Sequence, residues 1–175
     1  MKEFKYTLEQ IKGMLKEMVI LVDSREKLNS HILGYFQRQG ISYEITKLDF
    51  GDYSCKIPAS AAGRDIYFHD SIVIERKNSL EEISGNLTKG REAFEREFMR
   101  AKASGAKIYL LVESPGGYSD IIGHKYRTEF KPAAFSASLL TWESRFDVNV
   151  RFIDKQYSGY FVFNTLQYFV REALR

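Results

Sequence analysis

Residues 71–77, Ser-Ile-Val-Ile-Glu-Arg-Lys, constrain the fold of this chain more than any other stretch. The apolar start is that of a central strand, yet the same strand runs on into three charged residues. Side chains alternate across a strand, so Glu75 and Lys77 must share one face and Arg76 must take the other. Charged groups on a central strand are rare without a task. Two further strands are read at Val19-Ile20-Leu21-Val22, which ends at Asp23, and at residues 107–113 (KIYLLVE). With helical segments on both sides, the pattern predicts an α/β chain with a mixed sheet between helices.

The other elements follow from local signals. A helix over 7–18 puts Leu8, Ile11, Met14, Leu15 and Met18 on one face, with Thr7 and Gln10 as a capping box. A second, over 27–39, turns Leu28, Ile32, Leu33 and Phe36 inward and stops at Gly40. Strands are expected at 42–48, 52–57 and 66–68, with a loop over the small residues 59–63. Ser79 opens a short helix, Gly90 breaks it, and a charged helix runs over 91–104. Pro132 suits the first turn of a helix reaching about 146. A strand at 148–153 and an aromatic helix over 157–174 complete the chain.

The 175 residues fit a single domain, 1–175, with mass enough for a core. A composition of 44% hydrophobic and 28% charged residues excludes a disordered or fibrous chain. No apolar run approaches membrane-spanning length, so no membrane partner is expected. The polar N-terminus (MKEFKYTLEQ) does not read as a signal peptide. The single Cys55 excludes an internal disulfide framework and a Cys-based zinc cluster. A reducing, intracellular setting is expected: cytoplasmic, and nucleoid-associated if the source is prokaryotic or viral. The 26 Lys and Arg against 23 Asp and Glu permit a polyanionic partner without demanding one.

Acidic residues gather at strand ends. Asp23 closes the first strand, Asp52 opens the third after Gly51, Glu75 and Lys77 lie on the central strand, Glu81 follows one helical turn later, and Glu113 ends the next strand. A carboxylate pair with a lysine is the simplest kit for hydrolysing a phosphodiester. Mg²⁺ prefers oxygen ligands and keeps several waters, so two or three carboxylates suffice. The metal neutralises charge and acidifies a bound water, and a nearby Lys orients that water or stabilises the pentavalent state. In isolation an Asp…Glu-x-Lys pattern more often marks surface salt bridges. The central-strand context is what favours chemistry. His31 and His69 lack metal-ligand spacing.

In this order, Val22-Asp23-Ser24-Arg25-Glu26, Gly51-Asp52-Tyr53, Ile74-Glu75-Arg76-Lys77 and Gly90-Arg91 resemble the XPF-type (ERCC4-domain) structure-specific endonucleases. Their signature is Gly-Asp, a variable stretch, then Glu-Arg-Lys-x3-Asp. The resemblance implies a restriction-endonuclease-like fold of the PD-(D/E)XK type, a catalytic core over residues 19–113, and DNA cleavage dependent on Mg²⁺ or Mn²⁺. It implies that Asp52 and Glu75 bind metal, that Lys77 is the catalytic lysine, and that Asp23 contacts metal or water. Arg76 matches the arginine of the signature and is expected among the catalytic residues, as is Asp23, and Arg25 and Glu26 complete the first motif. Arg91 matches a downstream arginine facing phosphate. Two departures stand out: the last Asp of the signature is Glu81 here, and no tandem helix-hairpin-helix tail follows residue 113, so branched-DNA preference is not carried by such a tail.

Beyond the motif, the cations of 91–107 read mainly as a solvated, salt-bridged helix. Residues 116–131 read as a mobile loop or as a DNA contact through His124, Lys125, Tyr126 and Arg127. Leu139, Trp142 and Phe146 read as core. The excess aromatics Tyr160, Phe161, Phe163, Tyr168 and Phe169 read as partly a partner surface, and the resemblance implies a homodimer through the helical part 132–175. The alternatives are a Holliday-junction resolvase or restriction-type nuclease, and a non-catalytic DNA-binding partner that keeps the nuclease fold.

Overall fold

The structure, a computed structural model, describes residues 6–175. The N-terminal stretch behind the signal-peptide reading lies partly outside the described residues. The strands are β1 (Val19–Asp23), β2 (Tyr43–Thr46), β3 (Tyr53–Ile57), β4 (Ile66–Tyr67), β5 (Ile72–Lys77), β6 (Lys107–Glu113) and β7 (Val148–Ile153). They form one mixed sheet in the order β2-β1-β3-β5-β6-β7, with β4 paired to β3. The β1–β2, β5–β6 and β6–β7 pairs are parallel, while β3 runs antiparallel to both β1 and β5. The helices are α1 (Leu8–Lys16), α2 (Ser30–Gln39), α3 (Ala59–Ala62), α4 (Leu80–Leu87), α5 (Arg91–Ser104), α6 (Gly117–Ile122), α7 (Pro132–Phe146) and α8 (Ser158–Ala173).

The two faces of the sheet bury separate cores. Ile72 and Ile74 of β5 join Ile20, Val22, Tyr53 and Cys55 beneath α1, α2 and α8. Val73 points the other way, into Leu110, Val112 and the apolar sides of α4, α5 and α7. β5 is buried over its whole length, as a central strand must be. Trp142 anchors the second core between Phe94 and Phe98, and its indole N–H donates to Glu95 Oε1 at 2.9 Å.

Local chemistry sets several boundaries where expected. The Thr7 and Gln10 side chains cap α1 reciprocally, Gly40 ends α2 in the left-handed region, and Pro132 opens α7. Three segments differ. Leu28 is exposed at φ +54°, and α2 begins only at Ser30. The carbonyl of Lys27 instead accepts from Arg76. The small residues expected to loop form α3, since alanine favours helix, and Gly63 stops it at φ +75°. Residues 116–131 hold α6 and a bonded turn rather than a mobile loop. Among the described residues no helix is long and apolar enough to cross a membrane.

Gly51 controls how closely Asp52 approaches β5. Its φ is +73°, and a Cβ there would lie 2.8 Å from Val73 Cβ. Gly51→Ala should therefore cost about 2 kcal/mol or more, from the left-handed backbone and the clash with a β5 side chain. An unchanged urea midpoint would contradict this.

Candidate active site

Asp52, Glu75 and Lys77 converge on the sheet face that packs against α5. The turn at Gly51 brings Asp52 against β5, where its N–H donates to Ile74 O at 2.8 Å. Its Oδ2 accepts the Arg76 N–H at 2.7 Å. The Gly-Asp pair is thus a clasp, with the glycine permitting contact and the aspartate bonding to the neighbouring strand on both sides of Glu75. Lys77 Nζ lies 2.8 Å from Glu75 Oε1, 3.7 Å from Glu82 Oε1, and 4.7 Å above the Phe94 ring. Glu75 and Lys77 are both buried.

These carboxyls are held against their charge. Burial pushes Asp52 well above the usual carboxylate range, and the nearby Glu75 and Glu26 add to the shift. Burial also raises Glu75, against the opposing pull of Lys77. Lys77 is raised despite its burial, because Glu75 holds it charged. Asp52 Oδ1 and Glu75 Oε2 receive no hydrogen bond among the described residues. Two neighbouring carboxylates, Glu75 buried and Asp52 half-buried, with an uncommitted oxygen each fit a hard divalent cation. Among the described residues no group of three or more Asp, Glu, His or Cys side chains is gathered for a metal. Such an ion would therefore draw further oxygens from water or phosphate.

Asp23 stands differently from the expectation that made it a metal contact. It is buried, and both of its oxygens are engaged. Oδ1 accepts from the Arg25 N–H and Nε, each at 2.8 Å, and Oδ2 accepts from Leu48 N–H at 2.7 Å and Arg25 Nη2 at 3.1 Å. Burial alone would raise this carboxyl, but the bonds from Arg25 and Leu48 outweigh it and hold the group below its ordinary value. Asp23 thus pins the exit of β1 to the segment that leads into Gly51.

Arg76, expected among the catalytic residues, lies on the opposite face of the sheet. Its guanidinium binds the Glu26 carboxylate, donates to Glu113 Oε2 at 3.1 Å and donates to Lys27 O at 2.9 Å. Glu113 Oε1 in turn meets His31 Nε2 at 2.6 Å and Ser158 Oγ at 2.7 Å. Sequence reasoning missed this network. His31 lies 82 residues from Glu113, and no local spacing marks the pair.

The remaining cations are spread out. Arg25 is exposed but bonded to Asp23 and Leu48 O. Arg91 pairs with Glu95 at 2.9 Å and reaches Ser138 Oγ at 3.3 Å, so it braces α5 against α7. Lys125 and Arg127 are exposed on the turn after α6. Glu81 does not join Asp52 and Glu75 but accepts the Arg127 N–H. Glu97, unmarked by any motif, shares a small hollow with Gly51, Val73 and Glu75.

The ERCC4 domain family model matches residues 22–164, which contain Asp23, Asp52, Glu75, Arg76 and Lys77. The chain belongs to the ERCC4 domain family. Comparison with curated proteins gives no match. Among solved structures, XPF from Aeropyrum pernix superposes with a TM-score of 0.64 at 19% identity, over 87% of this chain and 65% of that one. XPF from Aeropyrum pernix in complex with DNA gives a TM-score of 0.62 at 19% identity, over 88% and 65%. The ERCC4-domain chain thus spans about two thirds of the length of these XPF chains and shares their restriction-endonuclease-like fold.

The bonds of Asp23 and Arg76 make two expectations testable. Asp23→Asn cannot satisfy Arg25 and Leu48 together and should cost about 1–3 kcal/mol near neutral pH. Because the folded carboxyl is lowered, its contribution is complete above its ordinary value of 3.8 and fades as pH falls through the lower folded value. The gap between wild type and variant in denaturant melts should therefore narrow below that pH. Arg76→Ala strands two buried carboxylates and should cost about 3–5 kcal/mol, measurable by the same melts.

Proposed function

We propose that this protein is a divalent-metal-dependent endonuclease that hydrolyses phosphodiester bonds in branched, flap or otherwise structured DNA. The observation that carries the reading is the convergence of Asp52, Glu75 and Lys77 on one sheet face, with an uncommitted oxygen on each carboxylate. Asp52 and Glu75 would hold Mg²⁺ or Mn²⁺. When bound, such an ion neutralises the scissile phosphate and acidifies a coordinated water.

The rest of the chemistry belongs to the chain. Lys77, paired with Glu75 beside the proposed ion, is placed to act as a cation that stabilises negative charge building on the phosphorus. Phe94 and Glu82 limit where its ammonium can move. Asp23 and Arg76 act as positioning residues, one fixing the β1 exit and the other tying β5 to β6 from behind. Arg25, Arg91, Lys125 and Arg127 supply cations for the DNA backbone. One of the two similar XPF structures is a complex with DNA, which supports DNA as the substrate class. The exposed Tyr160 and Tyr168 of α8 support a homodimer through the C-terminal helical part.

A panel of duplex, flap and four-way-junction DNA with Mg²⁺ or Mn²⁺ tests the activity and separates flap cutting from junction resolution. Asp52→Ala and Glu75→Ala should each lower cleavage by about 100-fold or more with DNA binding largely retained. Wild-type rates in either variant would sink the assignment. An independent readout uses stability. Ionising a carboxyl whose folded value is raised costs free energy at every pH above its ordinary value of 3.8. Asp52→Asn should therefore melt higher than wild type at neutral pH without metal. Mn²⁺ should raise the melting temperature of wild type but not of this variant.

A further inference from the structure

Glu81 occupies the position of the final signature acid, yet its carboxylate is bonded to a different segment. It lies in the first turn of α4, four residues after Lys77, and its Oε1 accepts the backbone N–H of Arg127 at 3.0 Å. A second bond links the same two segments, between Ser84 Oγ and Thr128 Oγ1 at 2.8 Å. The turn it grips is itself well fixed. His124 sits at φ +51° with Nε2 2.9 Å from Thr128 O. The Lys125 N–H donates to Asp120 O at 2.8 Å. Tyr126 is buried against Phe135, with its hydroxyl on Phe130 O. What this turn leaves in solvent is mainly cationic, with Lys125, Arg127 and Lys131 exposed against the single exposed carboxylate of Glu129.

We infer that Glu81 is a positioning residue that docks the cationic 124–131 turn onto the helix following the catalytic strand, so that Arg127 meets the DNA backbone beside the cleavage site. This rests on the nuclease reading above and gives the departure from the family signature a role. An aspartate would fall about 1.5 Å short, which breaks a bond of 3.0 Å. The extra methylene of Glu81 is what reaches across. Glu81 contributes here through its acceptor oxygen, not through its charge.

That distinction gives the test. Removing a carboxylate near DNA should, by charge alone, tighten binding. The positioning role demands the reverse. Affinity for a labelled flap DNA is measured by anisotropy without divalent metal, and KM and kcat are measured with Mn²⁺, after circular dichroism confirms folding. Glu81→Ala and Glu81→Asp should each weaken binding about 3–10-fold and flatten the log K against log salt slope by about 0.9, the loss of one phosphate contact. They should raise KM and leave kcat within about twofold, the pattern of lost uniform binding. Glu81→Gln keeps the acceptor and should bind at least as tightly as wild type. Arg127→Ala should match Glu81→Ala, and the double variant should be no weaker than either.

Unchanged or tighter binding by Glu81→Ala, additive losses in the double variant, or a fall in kcat with an altered Mn²⁺ requirement would each overturn the inference. The binding arm contains no metal, so it is decided even if wild type cuts nothing. A wild type that binds DNA without cutting sinks the nuclease reading alone. Cleavage that depends on Asp52 together with Glu81→Ala binding like wild type sinks only this inference.

Discussion

Everything at the candidate site depends on β5 being a fully buried strand that ends in Glu-Arg-Lys. Burying three consecutive charges is costly unless each finds a partner. The alternation of the strand solves this by separating them. Glu75 and Lys77 pair with each other on one face, while Arg76 pairs with Glu26 and Glu113 on the other. The back triad fixes the backbone that carries the front pair. The backbone N–H of Arg76 also orients Asp52, so one residue serves both faces of the sheet.

The front face is built against electrostatic comfort. Burial raises the proton affinity of both Asp52 and Glu75; Glu75 and Glu26 raise that of Asp52 further, and Glu97 and Glu26 that of Glu75. A fold selected only for stability would replace one of them with a neutral group. Such a conflict with local energy points to a site, and a cation would discharge it. Asp23 shows the opposite design, since each of its oxygens is answered by donors and its charge supports the fold.

Much of this was legible in the sequence because it rests on short-range rules. The period of two on β5 separated Arg76 from Glu75 and Lys77. Thr7 with Gln10, Gly40 and Pro132 marked helix ends by chemistry confined to a turn. What could not be read depends on residues far apart in the chain. Helical periodicity extends back to Leu28, but the carbonyl of Lys27 belongs to an arginine 49 residues later. Asp23 looks like other strand-end acids until Leu48, 25 residues on, takes its second oxygen. Residues 116–131 look like loop because part of what orders them, Glu81 and Ser84, lies outside the segment.

The Glu113 cluster also bears on the order in which the molecule can assemble. Its carboxylate ends β6 yet needs Ser158, the first residue of α8, and His31 of α2 for two of its three bonds. Gly159, next in the chain, lets α8 lie directly on Tyr35, where a Cβ would come within 2.6 Å of Tyr35 Cβ. A chain emerging from the ribosome can pair β5 with β6 early, but it must hold a buried acid short of a donor until α8 arrives. Such non-local closure slows folding and exposes a part-built sheet. α8 therefore completes the wiring behind β5, and a chain interrupted before it would carry Asp52, Glu75 and Lys77 without the support that fixes their strand.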